Sequence, residues 1–263
     1  MSPYLLLSLC TSLLYGLIAW RMFRNSQSQS VGPQALLSLV LLMHGALVYE
    51  SVLGNGVIAL GFGNSLSTIS WLTALIYWTS SHRISLVRIQ AWVTLFTAIA
   101  VLLPLVFPNS HAIPNSSALA LRAHLVVSLL AYSFFAIAAL HAGLMTTLEK
   151  KLHSGAALHG GAPPLLTLEA VLFKTITAGF IFLSLTVFSG VLFSEELFGK
   201  PLQFTHKIVF AMLSWCVFGG LLLGRYFRGW RGRTALYWTL TGFVFLVLAY
   251  VGTQFVLEVL LHR

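Results

Sequence analysis

Hydrophobic residues run along this chain in long blocks, broken by short polar stretches at nearly regular intervals. Blocks of 17 or more apolar residues with few charges are long enough to cross the hydrocarbon core of a bilayer as helices. Eight such helices are predicted, at about 3–20, 34–53, 64–80, 89–107, 120–148, 167–193, 206–227 and 234–260. Between them lie a Ser/Gln/Asn connector at 21–34, a Gly-rich piece at 54–63, and a loop at 109–118 after Pro108. A Gly/Ala/Pro linker follows at 154–164, and a loop with Glu195, Glu196 and Lys200 at 194–205. Pro33 suits the first turn of the second helix, where a missing N–H costs nothing. The third block carries Asn64, Ser65, Ser67, Thr68, Ser70 and Thr73, which places it inside a helical bundle where small hydroxyl residues permit close packing.

The expected fold class is therefore all-α, a polytopic bundle of about eight transmembrane helices forming a single integral membrane domain over residues 1–263. Composition agrees: 58% of the 263 residues are hydrophobic and only 8% charged, against about 25% charged in an ordinary soluble domain. Eight spans leave no room for a sizeable soluble domain. No internal repeat or inverted symmetry is visible, which argues against a carrier built from repeated halves.

The net charge of +9 would suggest an acidic partner in a soluble protein, but here it follows the spans. Alternating the eight helices puts Arg21, Arg24, Arg83, Arg88, Lys150, Lys151, Lys174, Arg225, Arg228, Arg231 and Arg233 on one side. Only Arg122, Lys200, Lys207 and Arg263 fall on the other. By the positive-inside rule the first side is cytoplasmic, so both termini are expected outside, in a multi-pass bacterial inner membrane protein. Trp20, Trp78, Trp92, Trp230 and Trp238 cluster near the cytoplasmic ends, as an interfacial belt does. The first block lacks a basic leader and a small-residue cleavage site, so it reads as a retained helix. A lipid bilayer is the partner this pattern requires, and nothing in it calls for nucleic acid.

Several chemistries are excluded by residue type. The chain has no Asp, so a Ser/His/Asp triad cannot form, and neither a P-loop nor a zincin motif is present. Cys10 and Cys216 stand alone, without a C-x-x-C or C-x-x-C-H motif. What remains is histidine, and ionisable side chains within spans are functional candidates by default. His82, His111, His153 and His159 fall in loops and read as solvated. His124 and His206 both fall in the first outer turn of a helix, at similar depth, where two imidazoles can ligate one haem (heme) iron from opposite faces. The competing reading is that both are interfacial residues bonded to loop carbonyls. His124, Ser128 and Tyr132 recur every four residues and form one inward polar stripe.

His262, at the outer end of the last helix, could reach the same surface. His44 and Glu50 lie deeper on the second helix, His44 as a second ligand, a proton relay or a hydrogen-bonded core residue. His141 is 17 residues past His124, about 25 Å deeper, and cannot share its ligand sphere. Arg122, Lys200 and Lys207 could pair with haem propionates or simply be neutralised by Glu195 and Glu196.

The run Arg225-Tyr226-Phe227-Arg228-Gly229-Trp230-Arg231-Gly232-Arg233, with Ala249-Tyr250-Val251-Gly252 in the following helix, resembles the end of the cytochrome c assembly (CcsA/CcmC-type) membrane proteins. His124 to Tyr132, with its charged helix end Leu148-Glu149-Lys150-Lys151-Leu152, resembles the same family. Pro163-Pro164-Leu165-Leu166 leading to Leu168-Glu169 is similar to its YpjD-type branch. The resemblance is fullest over residues 120–263 and reaches the first 120 through hydropathy and Met43-His44. It implies haem handling for cytochrome c biogenesis, with haem as a bound cargo rather than the substrate of an enzyme, and with apocytochrome c or other assembly proteins as partners. His124 matches the family's first outer histidine, and His262 falls one position from the last helix's outer histidine.

The family's tryptophan-rich segment ending in Asp would occupy the loop before the seventh helix. That loop reads Gly199-Lys200-Pro201-Leu202-Gln203-Phe204-Thr205-His206-Lys207, without Trp or Asp. The family's intramembrane histidine on that helix is replaced at about Leu223. Two other functions remain open: an accessory or scaffold protein that has lost haem handling, and a small-solute carrier using His44 and Glu50.

Overall fold

The computed structural model describes residues 3–24, 31–54, 58–81, 87–108, 111–112, 118–153, 165–192, 205–252 and 255–256. They form α1 (Pro3–Arg24), α2 (Val31–Leu53), α3 (Phe62–Ser81), α4 (Val87–Ala100), a short α5 (Leu103–Val106), α6 (Leu119–His153), α7 (Leu165–Leu192), α8 (His206–Arg228) and α9 (Gly232–Val247). A π-helical turn, Leu248–Gly252, continues α9. The protein is an all-α polytopic membrane protein, and seven of its helical segments are long and apolar enough to cross a membrane. The remaining long helix, α3, is present where the pattern predicts it, and its polarity keeps it below the hydropathy of a span.

The chain divides into two compact units, residues 1–119 with 254–263, and residues 120–253. In the first, α1 packs chiefly on α4, and α2 and α3 pack on each other. Asn64, Ser65, Ser67, Thr68 and Thr73 of α3 are all buried, as the pattern implies. Hydroxyl groups are tolerated in such a core because most donate their proton to the carbonyl four residues earlier. Thr68 to Asn64, Thr73 to Ile69, Thr94 to Gln90 and Thr97 to Val93 all do so at 2.7–2.8 Å.

Other polar groups tie helices together. Ser12 Oγ donates to the Ala98 carbonyl at 2.7 Å, Trp71 Nε1 to Leu41 at 2.8 Å, and the Gln34 and Gln90 amides exchange hydrogen bonds at 3.3 Å. The fourth block is not one helix, because Pro104 cannot donate into the ladder and α5 restarts after a turn at 101–102. At that break Gly63 is obligatory: a Cβ there would lie 2.7 Å from the Leu103 carbonyl oxygen and 2.9 Å from that of Phe107.

Residues 54–63 and 109–118, expected to be plain loops, contain a short piece of sheet. Ala59–Leu60 and His111–Ala112 pair as a two-stranded antiparallel ladder, Ala59 opposite Ala112 and Leu60 opposite His111. Both segments therefore emerge at the same end of this unit, which is the arrangement the alternating spans require.

The second unit contains α6, α7, α8, α9 and the π turn. Its α6 has 35 residues, about 52 Å at 1.5 Å per residue, and is too long for a 30 Å hydrocarbon core. Hydropathy ends this helix at 148; the charged run Glu149-Lys150-Lys151 continues it instead, as helix-favouring residues do once they reach water. Helices α8 and α9 form an antiparallel hairpin across residues 229–231. They approach closely at Gly242, where a Cβ would lie 2.8 Å from the Phe218 ring, and Ser214 donates to the Gly242 carbonyl at 2.9 Å. Phe218 in turn stacks on Phe135 of α6 with centroids 3.8 Å apart.

Candidate functional site

His124 lies in the second turn of α6 and is half-buried. Its Nδ1 is 2.8 Å from Ser189 Oγ, near the end of α7, and its Cε1 passes 3.4 Å from the position a Cβ would take at Gly190. Ser189 also donates to the Thr186 carbonyl at 3.1 Å. A hydroxyl that donates to Thr186 can accept from an Nδ1–H, and an imidazole in that tautomer keeps its lone pair on Nε2, the form a metal-ligating histidine requires. A Cβ at 190 would meet the ring at ordinary van der Waals distance, so α7 passes close beside the imidazole here.

Two turns further along α6, Tyr132 donates from its hydroxyl to the Leu246 carbonyl at 2.8 Å, immediately before the π turn. A shift from α to π geometry disturbs the helical ladder, and the phenol gives one of its carbonyls a donor from outside. Tyr250, within that turn, sits edge-on to Tyr132 at 6.3 Å, and the Lys207 ammonium lies 5.6 Å from the Tyr250 centroid. Tyr132 and Tyr250 thus carry contacts from α6 across the π turn to the first turn of α8. That turn also holds His206, which is exposed.

Of the histidines singled out, His124 and His206 lie in the same unit, each near the N-terminal end of its helix. His44 belongs to the other unit, where it is fully buried. Its Nε2 is 2.9 Å from Ser67 Oγ, and its ring meets Tyr15 edge-on at 5.7 Å. Glu50, six residues on, is exposed, so the two do not share a face. His141 lies far along α6 from His124, and its Nδ1 is 2.9 Å from the Ile137 carbonyl, one turn back on its own helix. His262, with Glu195, Glu196 and Lys200, lies outside the described residues. Arg122 is exposed in the first turn of α6.

The motif run at the other end of this unit has a structural basis that sequence reasoning missed. Glu169 of α7, with a side chain only 9% exposed, accepts from Arg225 Nη1 at 2.6 Å and takes the Gly232 N–H at 3.5 Å. Arg225 also donates to the Trp230 carbonyl at 3.2 Å and lays its guanidinium over the Phe173 ring at 4.5 Å. Gly229, at φ 65°, ends α8 in the left-handed conformation and turns the chain so that Trp230 N–H reaches the Gly224 carbonyl at 3.2 Å.

That hairpin coincides with the segment carrying the resemblance described above, and comparison with known proteins settles the family. The model of the cytochrome c assembly protein family matches residues 32–261. The chain belongs to the cytochrome c assembly protein family. Among its relatives, the inner membrane protein YpjD of Escherichia coli (strain K12) is 28% identical over 228 residues, covering 84% of this chain and 85% of the relative. The cytochrome c biogenesis protein CcsA of Prochlorococcus marinus (strain MIT 9303) is 33% identical over 87 residues, 33% of this chain and 27% of that one. CcsA of Heterosigma akashiwo is 31% identical over 91 residues, 35% and 28% of the two chains.

Among the described residues no three His, Cys or Glu side chains converge on a point where they could hold a metal ion. A haem would not need such a cluster, because a porphyrin already supplies four of its iron's ligands and leaves protein side chains to supply one or two. A half-buried imidazole oriented through its second nitrogen, as His124 is, fits that requirement.

Proposed function

We propose that this membrane protein binds haem as a cargo at the outer end of residues 120–253, where His124 would hold the iron and His206 is the candidate second ligand. The observation that supports the reading is the Ser189 contact to His124 Nδ1, a contact compatible with the Nδ1-protonated tautomer an iron ligand needs. Family membership supports it, since the relatives named CcsA are cytochrome c biogenesis proteins. Bound there, haem supplies an iron that accepts imidazole nitrogen; the protein's own part is to orient His124, to offer the Lys207 ammonium to a carboxylate, and to close the site beneath with Tyr132 and Tyr250. Apocytochrome c or another assembly protein is the partner such a cargo serves. The eleven basic residues on one side of the spans support an orientation with both termini outside the cytoplasm, which would place His124 and His206 on the outer face.

The test is the visible absorption spectrum of the detergent-purified protein, before and after haem addition. A haem band is expected, and His124→Ala is expected to abolish it or to shift it to that of a five-coordinate species. A protein that shows no band even with added haem, or a band that His124→Ala leaves untouched, overturns the reading in favour of a scaffold that has lost haem handling. The loop at 199–207, without the family's tryptophans, is the feature that would favour such a scaffold.

Ser189→Ala gives a finer expectation. The axial ligand is retained, but its basicity falls with the lost acceptor, so haem affinity drops by about 10- to 100-fold while the six-coordinate band persists. Haem titration monitored by absorbance measures it.

A further inference from the structure

The turn between α8 and α9 is only three residues long, and the spans on either side run His206–Arg228 and Gly232–Gly252. Arg228, Arg231 and Arg233 are therefore held at the depth where lipid headgroups lie. Their charge is not consumed inside the protein. Two carboxylates face this end of the unit, and the nearer, Glu169, is occupied by Arg225 at 2.6 Å. Arg231 Nε lies 3.7 Å from Glu169 and Arg233 Nε 3.8 Å from Glu149, both long for an ion pair. With 64% and 68% of their side chains exposed, both guanidinium groups remain largely accessible. Arg228 is exposed and has no carboxylate partner among the described residues.

Aromatic side chains surround these cations. Tyr226 and Phe227, edge to face at 4.9 Å, are largely exposed, as is Tyr237, while Trp230 packs on Trp238 at 4.9 Å. Exposed rings at this depth sit among glycerol and upper acyl groups, and guanidinium forks bind phosphate oxygens in pairs. The Glu169–Arg225 pair and Gly229 hold the turn in one shape, so the three arginines are presented from a fixed backbone.

We propose that Arg228, Arg231 and Arg233, fanned from the α8–α9 turn, form a binding site for the phosphate of an anionic phospholipid in the leaflet this end faces. A soluble nucleic acid or acidic protein would meet the same cations only by displacing the headgroup layer. The lipid is already at their depth, and charge complementarity selects its anionic members.

The experiment uses the full chain in a neutral detergent, titrated with phosphatidylglycerol or phosphatidylcholine. Bound lipid is counted by native mass spectrometry. Wild type is expected to retain phosphatidylglycerol selectively. The R228Q/R231Q/R233Q variant is expected to lose roughly 100-fold in affinity for it, at about fivefold for each juxtamembrane cation. A control with the same charge change elsewhere, R21Q/R24Q/R88Q, is expected to stay within about twofold. Should the triple variant fail to fold, Arg228→Gln alone removes no ion pair and is expected to weaken binding about fivefold. Equal retention of the two lipids by wild type, selectivity surviving the R228Q/R231Q/R233Q change, or an equal loss in the control would each overturn the site. Displacement of the lipid by millimolar inorganic phosphate would overturn the commitment to a lipid.

Discussion

Glu169→Ala is expected to destabilise residues 120–253 by about 2–4 kcal/mol. The carboxylate is 9% exposed and receives a 2.6 Å hydrogen bond from Arg225, whose own side chain is 28% exposed. Removing it leaves a guanidinium wedged over Phe173 with its main counter-charge gone, and the Gly232 N–H without its acceptor. Breaking a fully buried pair costs about 3–5 kcal/mol, and the partial exposure of Arg225 lowers that figure because water reaches the orphaned charge. Glu169→Gln, which keeps a neutral acceptor, is expected to fall between wild type and Glu169→Ala. In the Glu169→Ala background, Arg225→Met is expected to restore part of the loss, since an apolar side chain over Phe173 needs no partner. Equilibrium unfolding in mixed detergent micelles measures all three. A Glu169→Ala cost below about 1 kcal/mol would mean that the pair behaves as an exposed one.

Gly224→Leu is expected to cost at least about 3 kcal/mol and to release the α8–α9 turn. A Cβ at 224 would lie 2.3 Å from Trp230 Cε3 and 2.5 Å from its Cδ2, and the ring cannot retreat freely because Trp238 packs behind it at 4.9 Å. The displaced indole also drags the Trp230 N–H from the Gly224 carbonyl that anchors the turn. The same unfolding measurement reads the cost. The clash is confirmed as its cause if Trp230→Ala, mildly destabilising alone, relieves most of the loss when combined with Gly224→Leu. Additive losses in that pair would show that the glycine is needed for another reason.

The two ends of residues 120–253 differ in how far they can be read from residue order. Gly-Trp-Arg-Gly-Arg is recognisable as a motif, but its role is not, because Glu169 lies 56 residues from Arg225 and nothing periodic links them. The pattern offers Glu195 and Glu196 as partners for outer cations, and it offers no partner at all for Arg225. At the other end His124 and Tyr132 stand out by their spacing. Ser189 and Tyr250 do not, since a serine near a helix end and a tyrosine in an apolar run are ordinary in composition. The fourth block reads as one helix over 89–107, and its break before Pro104 appears only in the structure, although the missing N–H that causes it acts locally. The pairing of Ala59–Leu60 with His111–Ala112 is not, because two residues carry no alternation to detect.

Residue order alone makes this an all-helical membrane protein and places its helix ends to within a few residues in most cases. Those properties follow from transfer free energy and backbone satisfaction, which act on each 20-residue segment independently of the rest. Which polar side chains meet is a matter for the packed fold: His124 with Ser189, His44 with Ser67, Glu169 with Arg225. Those meetings depend on the rotation of each helix about its axis. Rotation is set by small packing differences among neighbours that are all apolar, which hydropathy along a single chain does not resolve.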